Sequence, residues 1–264
     1  MISNVIYFGV DPVIIRFGPL TLSWYGLMVA LAVITVVGWV AWQAKKTGSI
    51  DSDTIFTGAV IGIPSGIIFS KLLHVIDQWR YYLQYPGRII SGEGLTIWGA
   101  VIGATLGVWA YSRISRRFRF TLLGDLIAPG IILAQAIGRI GCTLNGCCYG
   151  IESHAWYAVI YTNPHSYAPV GIPVLPTQVF EIFYDLALFG VLISLRGKLK
   201  PEGSLFLVYF ALYGAWRFGI EFIREGTPFI FGMHQAQFIG LIVMLVTIPL
   251  IIWRTRWIKQ PAAE

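Results

Sequence analysis

Apolar residues fill blocks of about 20 positions, the length needed to cross a hydrocarbon core, and short polar or glycine- and proline-rich stretches separate them. This pattern predicts seven spans, at about 20–43, 54–76, 95–111, 121–141, 177–195, 204–223 and 235–253. Met1–Pro19 reads as an irregular or interfacial lead-in, with turns at Asp11-Pro12 and Gly18-Pro19. It carries only Asp11 and Arg16 and has no basic n-region, so no removable signal segment is expected. Gly58, Gly62 and Gly66 in the second span and Gly99, Gly103 and Gly107 in the third recur every fourth residue, the small-residue spacing of closely packed membrane helices. Asp77–Gly94 reads as a loop with an aromatic, interfacial surface, and 150–176 as a long polar connector without Lys or Arg. The expectation is an all-α polytopic membrane protein in one integral-membrane domain covering 1–264.

Composition agrees. The 264 residues are 56% hydrophobic and 12% charged, against roughly 25% charged in soluble domains. The net charge of +6 is no nucleic-acid footprint, because most Lys and Arg sit in short inter-span loops. Lys45 and Lys46, Arg113, Arg116, Arg117 and Arg119, Arg196, Lys198 and Lys200, and Arg254, Arg256 and Lys259 fall on one face of the bilayer. Arg16, Arg80, Arg88 and Arg224 fall on the other, twelve against four. The positive-inside bias then predicts an extracytoplasmic N-terminus and a cytoplasmic C-terminus.

Candidate chemistry concentrates at the end of the fourth span, where residues 138–150 read GRIGCTLNGCCYG. An arginine inside a span usually serves a ligand or a pathway. Arg139 and Arg217 each offer a planar donor fork suited to a phosphate diester, against the plainer roles of snorkelling or of an i,i+4 pair between Arg217 and Glu221. Glu181 and Glu221 are candidate bases or partners of those arginines, and Lys71 is a third candidate cation. Asp125 reads as the cap of its own helix start. His74, His154, His165 and His234 read as polar interface residues. For Cys142, Cys147 and Cys148, packing or a disulfide is favoured over metal, because C-x4-C-C matches no common zinc module.

The chain resembles the prolipoprotein diacylglyceryl transferases nearly end to end. The resemblance is carried by Trp24-Tyr25-Gly26-Leu27-Met28, by GRIGCTLNGCCYG, by Pro176-Thr177-Gln178-x-x-Glu181, by Tyr213-Gly-x-x-Arg217-x-x-x-Glu221-x-x-Arg224 and by Gln237. It implies transfer of a diacylglyceryl group from phosphatidylglycerol to the thiol of a lipobox cysteine in a prolipoprotein, with release of glycerol phosphate, at the bacterial cytoplasmic membrane. It implies Arg139, Arg217, Glu181 and Glu221 as catalytic residues. Tyr25, Lys71, Asn145, Gly146, Gly150, Gln178, Tyr213, Arg224 and Gln237 are implied in substrate binding, with no metal or cofactor. The partners are then phosphatidylglycerol, the signal peptide of the prolipoprotein and the bilayer, not nucleic acid. The alternatives are a lipid-binding scaffold or transporter, a homologue lipidating another acceptor, and a thiol-exchange enzyme.

Several positions depart from the family pattern. Trp98-Gly99-Ala100 stands where the family often has His-Gly-Gly, Cys142 where Asn is common, Cys147 where Glu is common, and Lys71 where an arginine is expected. Trp98 cannot take a proton. Trp98→His is therefore expected to leave transfer activity without a sharp fall, and a collapse in a lipid-transfer assay would place Trp98 in a repacked site.

Overall fold

The computed structural model describes residues 5–18, 20–90, 94 and 96–258. Pro19, Leu95 (the expected start of the third span) and Lys259 lie outside the described residues. In chain order the elements are β1 (Ile6–Phe8), β2 (Val13–Phe17), β3 (Leu20–Ser23), α1 (Trp24–Thr47), α2 (Ser52–Asp77), α3 (Trp79–Gln84), α4 (Ile97–Ser115) and α5 (Phe120–Asn145). These are followed by β4 (Val159–Tyr161), β5 (Pro173–Val174), α6 (Thr177–Leu195), β6 (Leu199–Lys200), α7 (Ser204–Ile220), β7 (Pro228–Ile230), β8 (Met233–His234), α8 (Gln235–Arg254) and β9 (Arg256–Trp257). Among the described residues α1, α2, α5, α6, α7 with its 3-10 extension to Ile223, and α8 are long and apolar enough to cross a membrane. The chain is a multi-pass membrane protein. α4, expected as the third span, forms a helix but is outside that set; glycines and serines dilute its apolar run and Arg113 closes it.

Several expectations change at the joints. The lead-in holds strands rather than irregular chain, with β2 and β3 in an antiparallel hairpin. The aromatic loop after α2 is largely helical, in α3 and a 3-10 turn at Pro86–Ile90. The long connector is ordered, since β4 pairs in parallel with β1 and antiparallel with β5. Val159, Tyr161, Ala168 and Val174 form a small core there against Phe8 and Tyr149. The fourth span runs on to Asn145, so the first half of GRIGCTLNGCCYG is helical.

The chain divides into two compact units, residues 37–123 and residues 1–36 with 124–264. In the 37–123 unit α2 packs along α4. The glycines are the reason: a Cβ on Gly66 would lie 3.1 Å from the Ala100 carbonyl oxygen, and one on Gly103 would collide with Phe69 and the Ser65 carbonyl. At the end of this seam the Ser70 hydroxyl donates to the Thr96 carbonyl at 2.7 Å, and the Thr96 hydroxyl donates back to the Ser70 carbonyl at 3.2 Å. Val60, Ile67 and Ile68 on α2 remain exposed, an apolar surface that fits lipid rather than water.

In the larger unit α5, α6 and α7 share a core of Ala128, Ile132, Leu188, Leu192, Leu205 and Tyr209. Asp125 does not cap its own helix. Its carboxylate reaches the start of α7, accepting from the Gly203 and Phe206 amides at 2.7 and 3.0 Å. That satisfies orphan donors of one helix from the side chain of another.

Gly103→Val is expected to lower stability by about 1–3 kcal/mol through overpacking of the α2–α4 seam. At Gly58 the nearest side-chain atom, on Tyr111, would be 4.0 Å from an added Cβ. Gly58→Ala is therefore expected to be neutral or to gain up to about 1 kcal/mol. Thermal unfolding in detergent checks the contrast; equal effects would reject the seam.

Candidate active site

Glu181 sits one turn into α6, with its side chain 3% exposed. Two arginines from other helices meet it. Arg139 of α5 donates from Nη2 to Glu181 Oε1 at 2.7 Å, and Arg217 of α7 places Nη1 3.6 Å from Glu181 Oε2. The Tyr213 hydroxyl, one turn before Arg217, donates to Glu181 Oε1 at 3.3 Å. Tyr213 is itself stacked on Tyr209, whose hydroxyl donates to Gln135 at 3.0 Å.

Arg217 continues the chain of charges to Glu221, to which its Nη2 donates. Glu221 also accepts from Arg224 Nη1 at 3.2 Å and faces His234 Nδ1 at 3.1 Å. The i,i+4 pair expected as a rival to a functional Arg217 is therefore present, and it coexists with the reach to Glu181. The ion pairs join three guanidiniums to two carboxylates, so within them positive groups outnumber negative ones by one. Arg139, Arg217 and Arg224 keep side-chain exposures of 16, 15 and 14%. Low surrounding dielectric makes an uncompensated charge there costly, and an anion from outside would offset it. Arg217 Nη1 makes no hydrogen bond among the described residues.

The second half of the signature forms a loop pinned by main-chain contacts. Gly146 is left-handed, with φ +73°, and a Cβ there would strike the Ser166 hydroxyl. The Gly150 amide donates to the Leu175 carbonyl at 2.8 Å, and the Ile151 amide to the Ile223 carbonyl at 2.9 Å. A Cβ on Gly150 would lie 2.8 Å from both Leu175 and Thr177 side-chain carbons, so the connector, the entry to α6 and the end of α7 meet at a backbone with no room for a side chain. Gln178 donates to the Cys147 carbonyl at 2.8 Å, and the Thr177 hydroxyl donates to the Cys148 carbonyl at 2.7 Å. Tyr161, under this loop, has its pKa pushed up to about 12, chiefly by burial.

The three cysteines are free thiols. Hydrogen bonds from the Cys142 and Cys147 thiols, then the charges of Arg224 and Arg139, hold the Cys148 thiol well below its ordinary range.

Tyr25 and Asn145 face a cleft of about 460 Å³, shared with Arg16, Ser23, His165 and Tyr167. Tyr25 reaches the signature because a Cβ on Gly141 would lie 3.4 Å from the Tyr25 Cα, a close approach of α1 to α5. At the cleft's edge Asp11 accepts from the Val13 amide at 2.8 Å and faces His165 Nδ1 at 3.0 Å. Those two contacts, the amide first, lower the Asp11 pKa.

Gln237, expected to bind substrate, accepts from the His234 amide at 2.9 Å, which closes a capping box at the start of α8. Lys71 lies in the 37–123 unit, where its ammonium donates to the Tyr82 hydroxyl and the Arg88 carbonyl, each at 3.3 Å. Two residues escaped the sequence reading. His234, taken there as an interface residue, pairs with Glu221. Asp185, one turn beyond Glu181, is wholly buried, and neither of its carboxylate oxygens has a hydrogen-bond partner among the described residues. The signal for Asp185 was a second carboxylate four residues after Glu181 in an otherwise apolar run.

Known proteins are similar to this chain over most of their length. A protein from Dehalococcoides mccartyi named phosphatidylglycerol–prolipoprotein diacylglyceryl transferase is 53% identical over 255 residues, covering 97% of each chain. One of that name from Symbiobacterium thermophilum is 31% identical over 96% of this chain and 95% of its own. Another, from Clostridium perfringens and numbered 2, is 34% identical over 84% of this chain and 86% of its own. The sequence model of the family described as prolipoprotein diacylglyceryl transferase matches residues 12–253, a span that contains every arginine and glutamate of the ion-pair network, and this chain belongs to that family.

Proposed function

We propose that the chain transfers the diacylglyceryl group of phosphatidylglycerol to the thiol of a lipobox cysteine in a prolipoprotein signal peptide, releasing glycerol phosphate. The observation that carries this reading is the ion-pair network with more guanidiniums than carboxylates, held among helices of a membrane protein. A phosphodiester head group supplies the anion such a network lacks. In the transfer, a C–S bond forms at the glyceryl carbon as its C–O bond to phosphate breaks, and the bonding pair leaves on the phosphate oxygen. The thiol proton ends on the released monoester. Arg139 and Arg217 stabilise the charge growing on that leaving group.

Glu181 and Glu221, offered by the sequence as bases or as partners, are assigned as positioning carboxylates that aim the guanidiniums, because both already accept from arginine. Arg224 adds to the positive field from the far side of Glu221. Tyr213 fixes Glu181, and Gln178, Gly146 and Gly150 shape the loop beside Arg139. Tyr25 and Asn145 line the neighbouring cleft, where the substrate head group or the peptide enters. Lys71 and Gln237 are assigned supporting roles, Gln237 through the start of α8.

The whole chain is read as one functional membrane domain in the bacterial cytoplasmic membrane. α4 is read as the remaining span, which gives an extracytoplasmic N-terminus, a cytoplasmic C-terminus and a site near the extracytoplasmic surface. The twelve-to-four bias of Lys and Arg between alternate faces supports this orientation.

Incubation of the purified chain with phosphatidylglycerol and a lipobox peptide should add one diacylglyceryl unit to the peptide by mass. Retained lipid binding without a mass gain would instead support a scaffold. Arg139→Ala and Arg217→Ala should each lower the rate by about 10²–10³-fold in protein that still melts cooperatively; full activity in either removes its assigned role. Glu221→Gln leaves Arg217 and Arg224 without their shared anion and should cost about 3–5 kcal/mol of stability, read from thermal unfolding. An unchanged melting temperature would reject Glu221 as the hub.

A further inference from the structure

The lipid-transfer reading assigns no step to the three cysteines, yet the fold gathers them. Cys142 occupies the last turn of α5, which ends at Asn145. Gly146 then turns left-handed, and the Cys147 amide donates to the Cys142 carbonyl at 3.1 Å, closing the turn. Cys148 is also left-handed, at φ +67°. Few residues with a side chain adopt this conformation, and one persists only where its surroundings hold it there. The outcome is that the three Sγ atoms lie within 4.8 Å of one another, one on a buried residue and two on half-buried ones.

Spacing along the chain argues against metal; the folded loop reverses that argument. Thiolates bound to one d¹⁰ ion at about 2.3 Å stand roughly 3.8–4.0 Å apart, so sulfurs already within 4.8 Å of one another need to close by no more than about 1 Å. The loop is held from outside by Gln178 on the Cys147 carbonyl and Thr177 on the Cys148 carbonyl, so main-chain anchors add to the weak contacts of the thiols themselves in setting their positions. Apolar packing gives no reason for the left-handed Cys148, and a disulfide engages only two of the three sulfurs.

We propose that Cys142, Cys147 and Cys148 form a three-sulfur site for one thiophilic d¹⁰ cation, zinc(II) or copper(I). Soft thiolate sets select these ions. Zinc(II) binds the three sulfurs as thiolates, displacing the protons they still carry, and leaves a Zn(SR)₃ group of charge −1. Arg139, whose Nη1 lies 3.8 Å from Cys142 Sγ, stands ready to offset that charge. The ion would staple the last turn of α5 to the loop that follows it.

The test uses the full chain in detergent, reduced and stripped of metal, with zinc(II) or copper(I) titrated against a chromophoric chelator. One ion per chain is expected. Cys147→Ser or Cys148→Ser should weaken binding by more than about 100-fold, since even outer-shell partners of a metal are worth 10–100-fold. Bound ion should also slow maleimide labelling of all three cysteines in the unaltered chain, a readout that needs no variant to fold. Absence of saturable binding of both ions overturns the proposal, as does unchanged binding when all three cysteines are serine. A Cys142–Cys147 or Cys142–Cys148 disulfide in protein thiol-blocked at lysis overturns it as well. None of these readouts depends on lipid transfer.

Discussion

The site depends on a buried carboxylate that two arginines from different helices approach together. Glu181 lies within α6, Arg139 comes from α5 and Arg217 from α7. Without that carboxylate two guanidiniums would face each other in a low dielectric, where their repulsion would force the helices apart. With it, each is held in place but incompletely neutralised, because Arg217 is shared with Glu221 and Glu221 is shared again with Arg224 and His234. The arrangement is held by its own carboxylates and still attractive to an anion.

Around this chain of charges, backbone contacts fasten the connector. The Gly150 amide meets the Leu175 carbonyl, and Ile151 meets Ile223. The connector between α5 and α6 is thereby fastened to both of the segments that supply the acidic residues. Its small sheet with β1 makes it a rigid platform for the signature loop, although its polarity and prolines along the sequence suggest a solvated strap. At the other end of the bundle a side chain does the fastening, the Asp125 carboxylate of α5 fixing the start of α7.

Spans were legible in the sequence because a bilayer leaves the backbone few options, and runs of apolar residues record that restriction directly. The charged candidates were legible for the same reason, since Arg139, Glu181, Arg217 and Glu221 interrupt such runs. What escaped were relations that no local pattern encodes. The pairing of β1 with β4 joins segments some 150 residues apart. The capture of Asp125 by α7 looked like an ordinary local cap. The role of His234 depends on a turn that brings α8 back against Glu221, and the convergence of three sulfurs depends on two left-handed residues, one of them not glycine.

The link between Arg139 and Glu181 spans 42 residues of chain, and Arg217 is more distant still. A nascent chain therefore exposes Arg139 at the end of α5 before either acidic helix has been made. During that interval the guanidinium has no internal counterion, and water, a lipid phosphate or the insertion machinery must stand in for Glu181. The residue proposed to grip an anionic head group in the finished protein thus has reason to hold one from the moment it reaches the bilayer, and arrival of α6 becomes an exchange of counterions rather than the first pairing of a bare charge.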